Sequence, residues 1–338
     1  MKSIIKFLFL GLILIFIIIG GIFIGYKSLI SPVSNDTSLI EVDISDGSSL
    51  KSAARLLEEK NLIKNETAFL IYAKINSLEN IKSGSYSLNK SQNVEEILQI
   101  LNKGSKPIGI KITIPEGYEI RNIAEKLESA GITDFDSFIS DTSNVDLYKS
   151  QYPYLNLPEV KSLEGFLFPD TYYISKEATN EQIIKMFLDR FSEVYEEQQL
   201  ESKIQESGLN LNEFITLASI VEREAVKKEE RPIIAGIFYN RLSIQMPLQS
   251  CATVQYILKE RKPVLSIADT KIDSPYNTYL IKGLPPAPIA SPGLDAILAT
   301  SNPQQTKFLY FVAKGDGGHE FSETYEQHLQ AKKKYLGE

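Results

Sequence analysis

The sequence predicts an α+β protein in three parts: an N-terminal transmembrane helix, small strand–helix modules, and a mixed α+β domain filling the second half. Three observations carry this. Phe7 to Tyr26 is a run of twenty residues without a charge. A strand–turn–helix pattern that begins near residue 41 returns seventy residues later. Beyond residue 160, helical stripes alternate with short apolar strands and proline-rich loops.

The 338 residues give material for two or three domains, and 43% hydrophobic with 23% charged residues is ordinary for a globular chain. A net charge of −7 argues against a general nucleic-acid binder, because phosphate contacts need a basic surface. One cysteine, Cys251, cannot form an internal disulfide, and two histidines, His319 and His328, are too few for a histidine-rich metal site.

Lys2 and Lys6 precede the apolar run and Lys27 follows it. At about 1.5 Å per residue, such a run crosses a hydrocarbon core of roughly 30 Å. A cleaved signal peptide would have a shorter apolar region and a small-residue cleavage site, and neither is present. Residues 1–6 are therefore expected in the cytoplasm, 7–26 in the membrane, and everything after them outside the cytoplasm, by the positive-inside rule. Residues 27–40, rich in serine, read as a tether.

Val42 to Gly47 alternates like a strand and ends in a turn, and Leu50 to Glu59 has helical periodicity. Ile112 to Gly117 and Ile120 to Glu128 repeat that order, with Ile44, Gly47, Ala54, Leu57 and Glu58 matching Ile114, Gly117, Ala124, Leu127 and Glu128. One unit has been used twice. Between the copies, Gly84 to Leu88 is a short strand, and Asn93 with Glu96 has capping-box spacing for a helix that stops at Gly104. The arrangement resembles LysM-type modules, which bind glycan chains. A spacer that only sets a distance is the other reading. The expected boundaries are a LysM-like module over 41–107, a second strand–helix module with a polar, turn-rich linker over 108–160, and the larger domain over 161–338.

In that domain, Leu163 to Tyr173 packs aromatics around Gly165 and Pro169, with Glu164 and Asp170 among them. A helix over Asn180 to Glu197 carries Ile183, Ile184, Phe187, Phe191 and Val194 as its stripe. Asn210 and Glu213 cap the next helix, whose segment Leu217-Ala-Ser-Ile-Val-Glu-Arg-Glu224 places Glu222 just off a face of Phe214, Leu217, Ala218, Val221 and Ala225. Glu224 reads as a solvated or salt-bridged neighbour. Pro232 opens a further helix, Ile233 to Leu242. The proline-rich Gly283 to Gly293 segment reads as a rigid cleft wall rather than a linker. Phe308 to Ala313 is an apolar strand that turns through Gly315 to Gly318 into a second strand and a closing helix.

The chemistry narrows by residue type. His319 and His328 stand nine apart, a spacing that fits no metal-ligand pattern. Cys251 with His319 could make a nucleophile pair, although a lone cysteine is commonly a small buried residue. No glycine-rich phosphate loop opens a long helix. Carboxylate chemistry remains, drawing on Glu222, Glu164 and Asp170, in a cleft of aromatic and amide groups suited to a sugar polymer.

EGFLFPDTYY, LASIVERE, FYNRL with MPLQS following, SPYNTY, GLPPAPI and LYFVAKGDGGHEF, in that order over about residues 160–330, resemble the endolytic murein transglycosylases, the YceG-like family. The resemblance implies cleavage within nascent peptidoglycan strands between N-acetylmuramic acid and N-acetylglucosamine, leaving a 1,6-anhydro end. It implies Glu222 as the catalytic residue, no cofactor, and peptidoglycan synthases and the elongation machinery as partners. Binding or positioning of substrate is expected of Glu164, Asp170, Gln249, Tyr276, Asn277, Tyr279, His319 and Phe321. The chain departs from the family pattern at Cys251-Ala252, where Asp-Pro is expected, and at Ala287, where Gly is expected. A non-catalytic glycan-binding scaffold of the wall-synthesis machinery is the alternative.

Overall fold

A computed structural model describes residues 20–21, 24–44, 48–104, 109–262 and 264–337. Most of the predicted membrane-spanning run lies outside the described residues. Among those described, no helix is long and apolar enough to cross a membrane. The chain forms two compact units, Met1–Gly109 and Ile110–Glu338.

The first unit runs β1 (Ile40–Ile44), α1 (Leu50–Glu59), α2 (Glu66–Ile75), β2 (Gly84–Leu88) and α3 (Val94–Lys103). β1 and β2 pair antiparallel, Ile40 opposite Leu88 and Ile44 opposite Gly84. The period of two buries Val42, Ile44, Tyr86 and Leu88, which meet Ala54, Leu57, Phe69 and Ile97 in one core. Asn93 and Glu96 form the capping box at the start of α3, and Gly104 caps its end with φ +88°. Within the segment expected as a tether, Ser31, Ser34 and Asp36 are hydrogen-bonded to the rest of this unit. Ser34 N–H donates to Lys90 O, Ser91 N–H donates to Asp36 O, and Lys64 Nζ reaches Ser31 Oγ at 2.8 Å.

The second unit opens with β3 (Ile110–Thr113), α4 (Ile120–Ser129) and α5 (Phe135–Ser143), and continues through two short 3-10 turns to β4 (Thr171–Ile174) and α6 (Asn180–Glu197). β3 and β4 pair antiparallel, Ile110 opposite Ile174. The repeat is therefore longer than the sequence suggests: strand, two helices, an antiparallel strand and a further helix occur in both units. In the second copy, the connection between the second helix and the returning strand is enlarged by an insertion, running over residues 144–170 where the first copy has only 76–83.

That insertion overturns the expected division at residue 160. Val145, Tyr148, Tyr152, Leu155 and Val160, read as part of a polar linker, are buried in the same core as Ile123, Phe166, Phe187 and Phe214. Aromatic and aliphatic residues spaced among polar ones in a turn-rich stretch have no period, so their burial leaves no sequence signal.

The rest of the unit comprises α7 (Leu200–Ser207), α8 (Leu211–Glu224), α9 (Arg231–Ser243), α10 (Cys251–Leu258), α11 (Leu294–Ser301), the hairpin β5 (Tyr310–Ala313) and β6 (His319–Ser322), and α12 (Tyr325–Leu336). α8 is central. Phe214, Ile215 and Ala218 enter the first core, while Leu217, Ile220 and Val221 pack with Ile234, Phe238, Leu248 and Ile289 in a second. The single expected stripe is thus replaced by burial on two sides, as suits a helix apolar around most of its circumference.

Candidate active site

α8 begins at a capping box in which Asn210 Oδ1 accepts from Glu213 N–H at 3.0 Å and Glu213 Oε2 accepts from Asn210 N–H at 2.9 Å. Its buried polar side chains clamp the proline-rich loop. Asn212 Nδ2 donates to Pro286 O at 2.9 Å, Ser219 Oγ accepts from Ile289 N–H at 3.1 Å, and Glu222 Oε2 accepts from Gly293 N–H at 3.1 Å. Prolines lack N–H groups and have fixed φ, so the loop is stiff and needs few acceptors. α8 supplies acceptors for two of its N–H groups. Gly165 secures the other side of the loop, since a Cβ there would meet Pro288 Cβ at 2.4 Å.

A second loop reaches Glu222 from the start of the unit. Gly117 N–H donates to Ser291 O and Ser291 N–H donates to Tyr118 O, both at 2.8 Å. Gly117 has φ +73°, and a Cβ there would lie 3.6 Å from Glu222 Cγ. A Cβ on Gly293 would lie 2.1 Å from Glu116 Oε1. Gly293 thus leaves room for the Glu116 carboxyl, while Gly117 is required by its positive φ.

Arg231, at the start of α9, joins them. Its Nη2 is 2.5 Å from Glu222 Oε1 and 3.6 Å from Glu116 Oε2, and its Nη1 is 3.9 Å from Asp295 Oδ2. Lys228 Nζ pairs with Asp295 in turn. Burial holds the Glu222 carboxyl above the ordinary carboxylate range. Arg231 and the Gly293 N–H oppose that rise, while Glu116 and Asp295 add to it. A carboxyl raised in this way keeps its proton to higher pH than an exposed one, and can donate it and take one back as the anion. Among the described residues, no group of three His, Cys, Asp or Glu side chains is placed to hold a metal ion.

The other predicted residues divide. Glu164 is buried at the start of α4, where both its oxygens accept from Ile120 N–H at 3.1 and 3.3 Å. Asp170 ends the extension of β4 and pairs with Arg190 of α6 at 2.8 Å, a brace rather than a cleft contact. Asn277 is fully buried, and its amide donates to Thr270 O and Ile272 O, so it shapes its own loop. The ring of Tyr276 lies 5.1 Å from that of Tyr256, and Phe321 stacks on Phe308 at 5.8 Å. Gln249 is exposed with φ +51°, and its N–H donates to Thr278 O.

Two of the segments connect to α8. Ser250 Oγ donates to Glu224, and Ser250 N–H donates to Thr278 Oγ1 at 3.0 Å, which ties the 249–253 and 276–279 segments to the helix end. Glu224 is thus held at the start of α10 rather than solvated. On the other side, His319 Nδ1 lies 2.7 Å from Glu230 Oε2, one residue before Arg231. The Cys251–His319 pair does not form, because Cys251 Sγ meets Tyr279 Oη at 3.1 Å. Glu116, Arg231 and Asp295 were not singled out by their sequence context. Their only signal is charge beside a glycine, a proline or a helix start, which looks the same as a solvated surface.

Compared with known proteins, residues 42–334 match the YceG-like family. An endolytic murein transglycosylase of Bacillus subtilis strain 168 is 34% identical over 336 residues, covering 95% of this chain and 91% of that protein. One from Streptococcus pneumoniae R6 is 37% identical over 326 residues, covering 87% of this chain and 58% of that longer protein. The crystal structure of a YceG-like protein from Listeria monocytogenes is 32% identical and superposes with a TM-score of 0.61, covering 86% of this chain and 98% of that one.

Proposed function

This chain belongs to the YceG-like family, and we propose that it is a membrane-anchored lytic transglycosylase that cuts within nascent peptidoglycan strands. The bond is that between N-acetylmuramic acid and N-acetylglucosamine, and the product carries a 1,6-anhydro end. The anchor is the uncharged Phe7–Tyr26 run, with the two folded units outside the cytoplasm. The first unit, with its strand–helix–helix–strand order, is read as a LysM-like module.

One observation carries the reading. Glu222 is a buried carboxyl held by Arg231 and the Gly293 N–H, and the carboxylate of Glu116 is engaged by the same guanidinium nitrogen rather than left free to act on a sugar. Hydrolysing glycosidases need two carboxyls facing the scissile bond. With one, the nucleophile is best supplied by the substrate. Glu222 protonates the leaving glycosidic oxygen as the C1–O bond breaks. The C6 hydroxyl of the same muramic residue then bonds to C1 and gives its proton to Glu222, which returns the enzyme to its starting state. Intramolecular attack provides the high effective concentration that a free water lacks. The acid must be protonated at the outset, so activity falls as pH rises through the elevated value of Glu222.

The test uses purified uncrosslinked glycan strands, the detergent-solubilised chain and Glu222→Gln, read by mass spectrometry. The parent should release anhydro-ended muropeptides, and the variant should lose that product by about 10²-fold or more. Reducing ends would indicate a hydrolase. No product from either would favour the glycan-binding scaffold.

A further inference from the structure

Two groups beside Glu222 take no part in the steps described above. Arg231 is only 6% exposed, and Glu116, at 38%, is the accessible member of the pair. A buried guanidinium is usually held by paired hydrogen bonds, since an unpaired buried donor is costly. Arg231 makes one short contact, to Glu222. Among the described residues its Nε and Nη1 have no hydrogen-bond partner. It is therefore buried without being locked, and a second carboxylate waits at 3.6 Å from the same Nη2. The absent side chain of Gly293 keeps open the space that Glu116 occupies.

We infer that Arg231 is a positioning residue shared between two carboxylates: it holds Glu222 in the resting site and releases it by swinging toward Glu116. The inference rests on the reading of Glu222 as the acid. With Arg231 on Glu222 the guanidinium opposes the rise that burial gives the carboxyl, so the proton is held less firmly. With Arg231 on Glu116 that opposition is withdrawn, and Glu222 holds the proton the reaction needs more firmly. The groups facing Glu222 are Arg231 from α9, Glu116 from the turn before α4, and Asp295 and the Gly293 N–H from the start of α11. Lys228 acts through Asp295, and the adjacent Arg223 turns away to Glu119 at 3.1 Å.

The experiment is the pH profile of kcat/KM on uncrosslinked glycan strands, with the full chain in detergent. Its alkaline limb reports the acid in the free enzyme. Glu116→Gln removes the competing charge, so the limb should move to lower pH by about half a unit. Arg231→Met should move it to higher pH, and Arg231→Lys, which keeps the charge, should return it toward the parent position. Glu116 is partly exposed, so its variant is expected to fold, and a thermal melt checks this. A limb that stays in place in an active Glu116→Gln, or limbs that move the same way in both variants, overturns the inference. A parent that yields no anhydro product overturns the transglycosylase reading itself, and this inference with it.

Discussion

Glu164 and Glu222 are both carboxyls raised by burial, but their surroundings give them different work. Glu164 is pushed up to about 8, first by burial and then by Glu119, against the pull of the Ile120 N–H. A carboxyl raised in the fold keeps its proton between its unfolded value and about 8, while the unfolded chain gives its proton up. Stability from this group is therefore complete below about pH 4.5 and is lost as pH rises toward 8. Glu164→Gln removes that loss. The variant should melt with the parent near pH 4.5 and above it at pH 8, by an amount on the order of 4 kcal/mol at most. A variant less stable than the parent at pH 8 would show that the ionised form is the one the α4 terminus holds. Glu222 was legible because it sits at the edge of a strongly periodic helix within a distinctive motif. Its partners were not: Glu116 lies 106 residues before it, and only folding brings the two to one guanidinium.

α8 and the proline-rich loop work as one element. The three hydrogen bonds from Asn212, Ser219 and Glu222 join positions some seventy residues apart, and no local rule of spacing predicts them. The local features were readable: the capping boxes at Asn93 and Asn210, and the α6 stripe, all follow from short-range chemistry. Ser219→Ala leaves the buried Ile289 N–H without its acceptor and should cost about 1–3 kcal/mol in denaturant unfolding. Its effect on kcat should exceed that of an equally destabilising core change, because the loop also delivers the Gly293 N–H to Glu222. Gly165→Ala attacks the same clamp from the other side. It combines φ +86° with a Cβ 2.4 Å from a stiff proline, and neither can relax cheaply, so the expected loss is about 2 kcal/mol or more. Wild-type stability in Gly165→Ala would mean the loop moves away freely, and its role as a fixed wall would fall.

At the scale of the whole molecule, a strand–helix–helix–strand–helix order occurs twice, and only the second copy carries the insertion at 144–170. That insertion delivers Glu164 and Gly165 to α4 and the proline-rich loop, so an ordinary small module became one wall of the site. The repeat was visible where its residues match at constant offset, and invisible beyond the insertion, where the offset changes. Each copy keeps its own core, Leu57 lying in one and Phe187 in the other, both fully buried. Truncation should therefore act locally. Leu57→Ala is expected to cost about 2–5 kcal/mol and Phe187→Ala about 3–5 kcal/mol, each in its own unit. Hydrogen exchange in mild denaturant, read by mass spectrometry, separates the two. Leu57→Ala should speed exchange in peptides from α1 to α3 and leave those from α6 to α8 at parental rates, and Phe187→Ala should do the reverse. Equal acceleration of both sets by either variant would show a single cooperative fold, in which the first unit stabilises the site as well as preceding it in the chain.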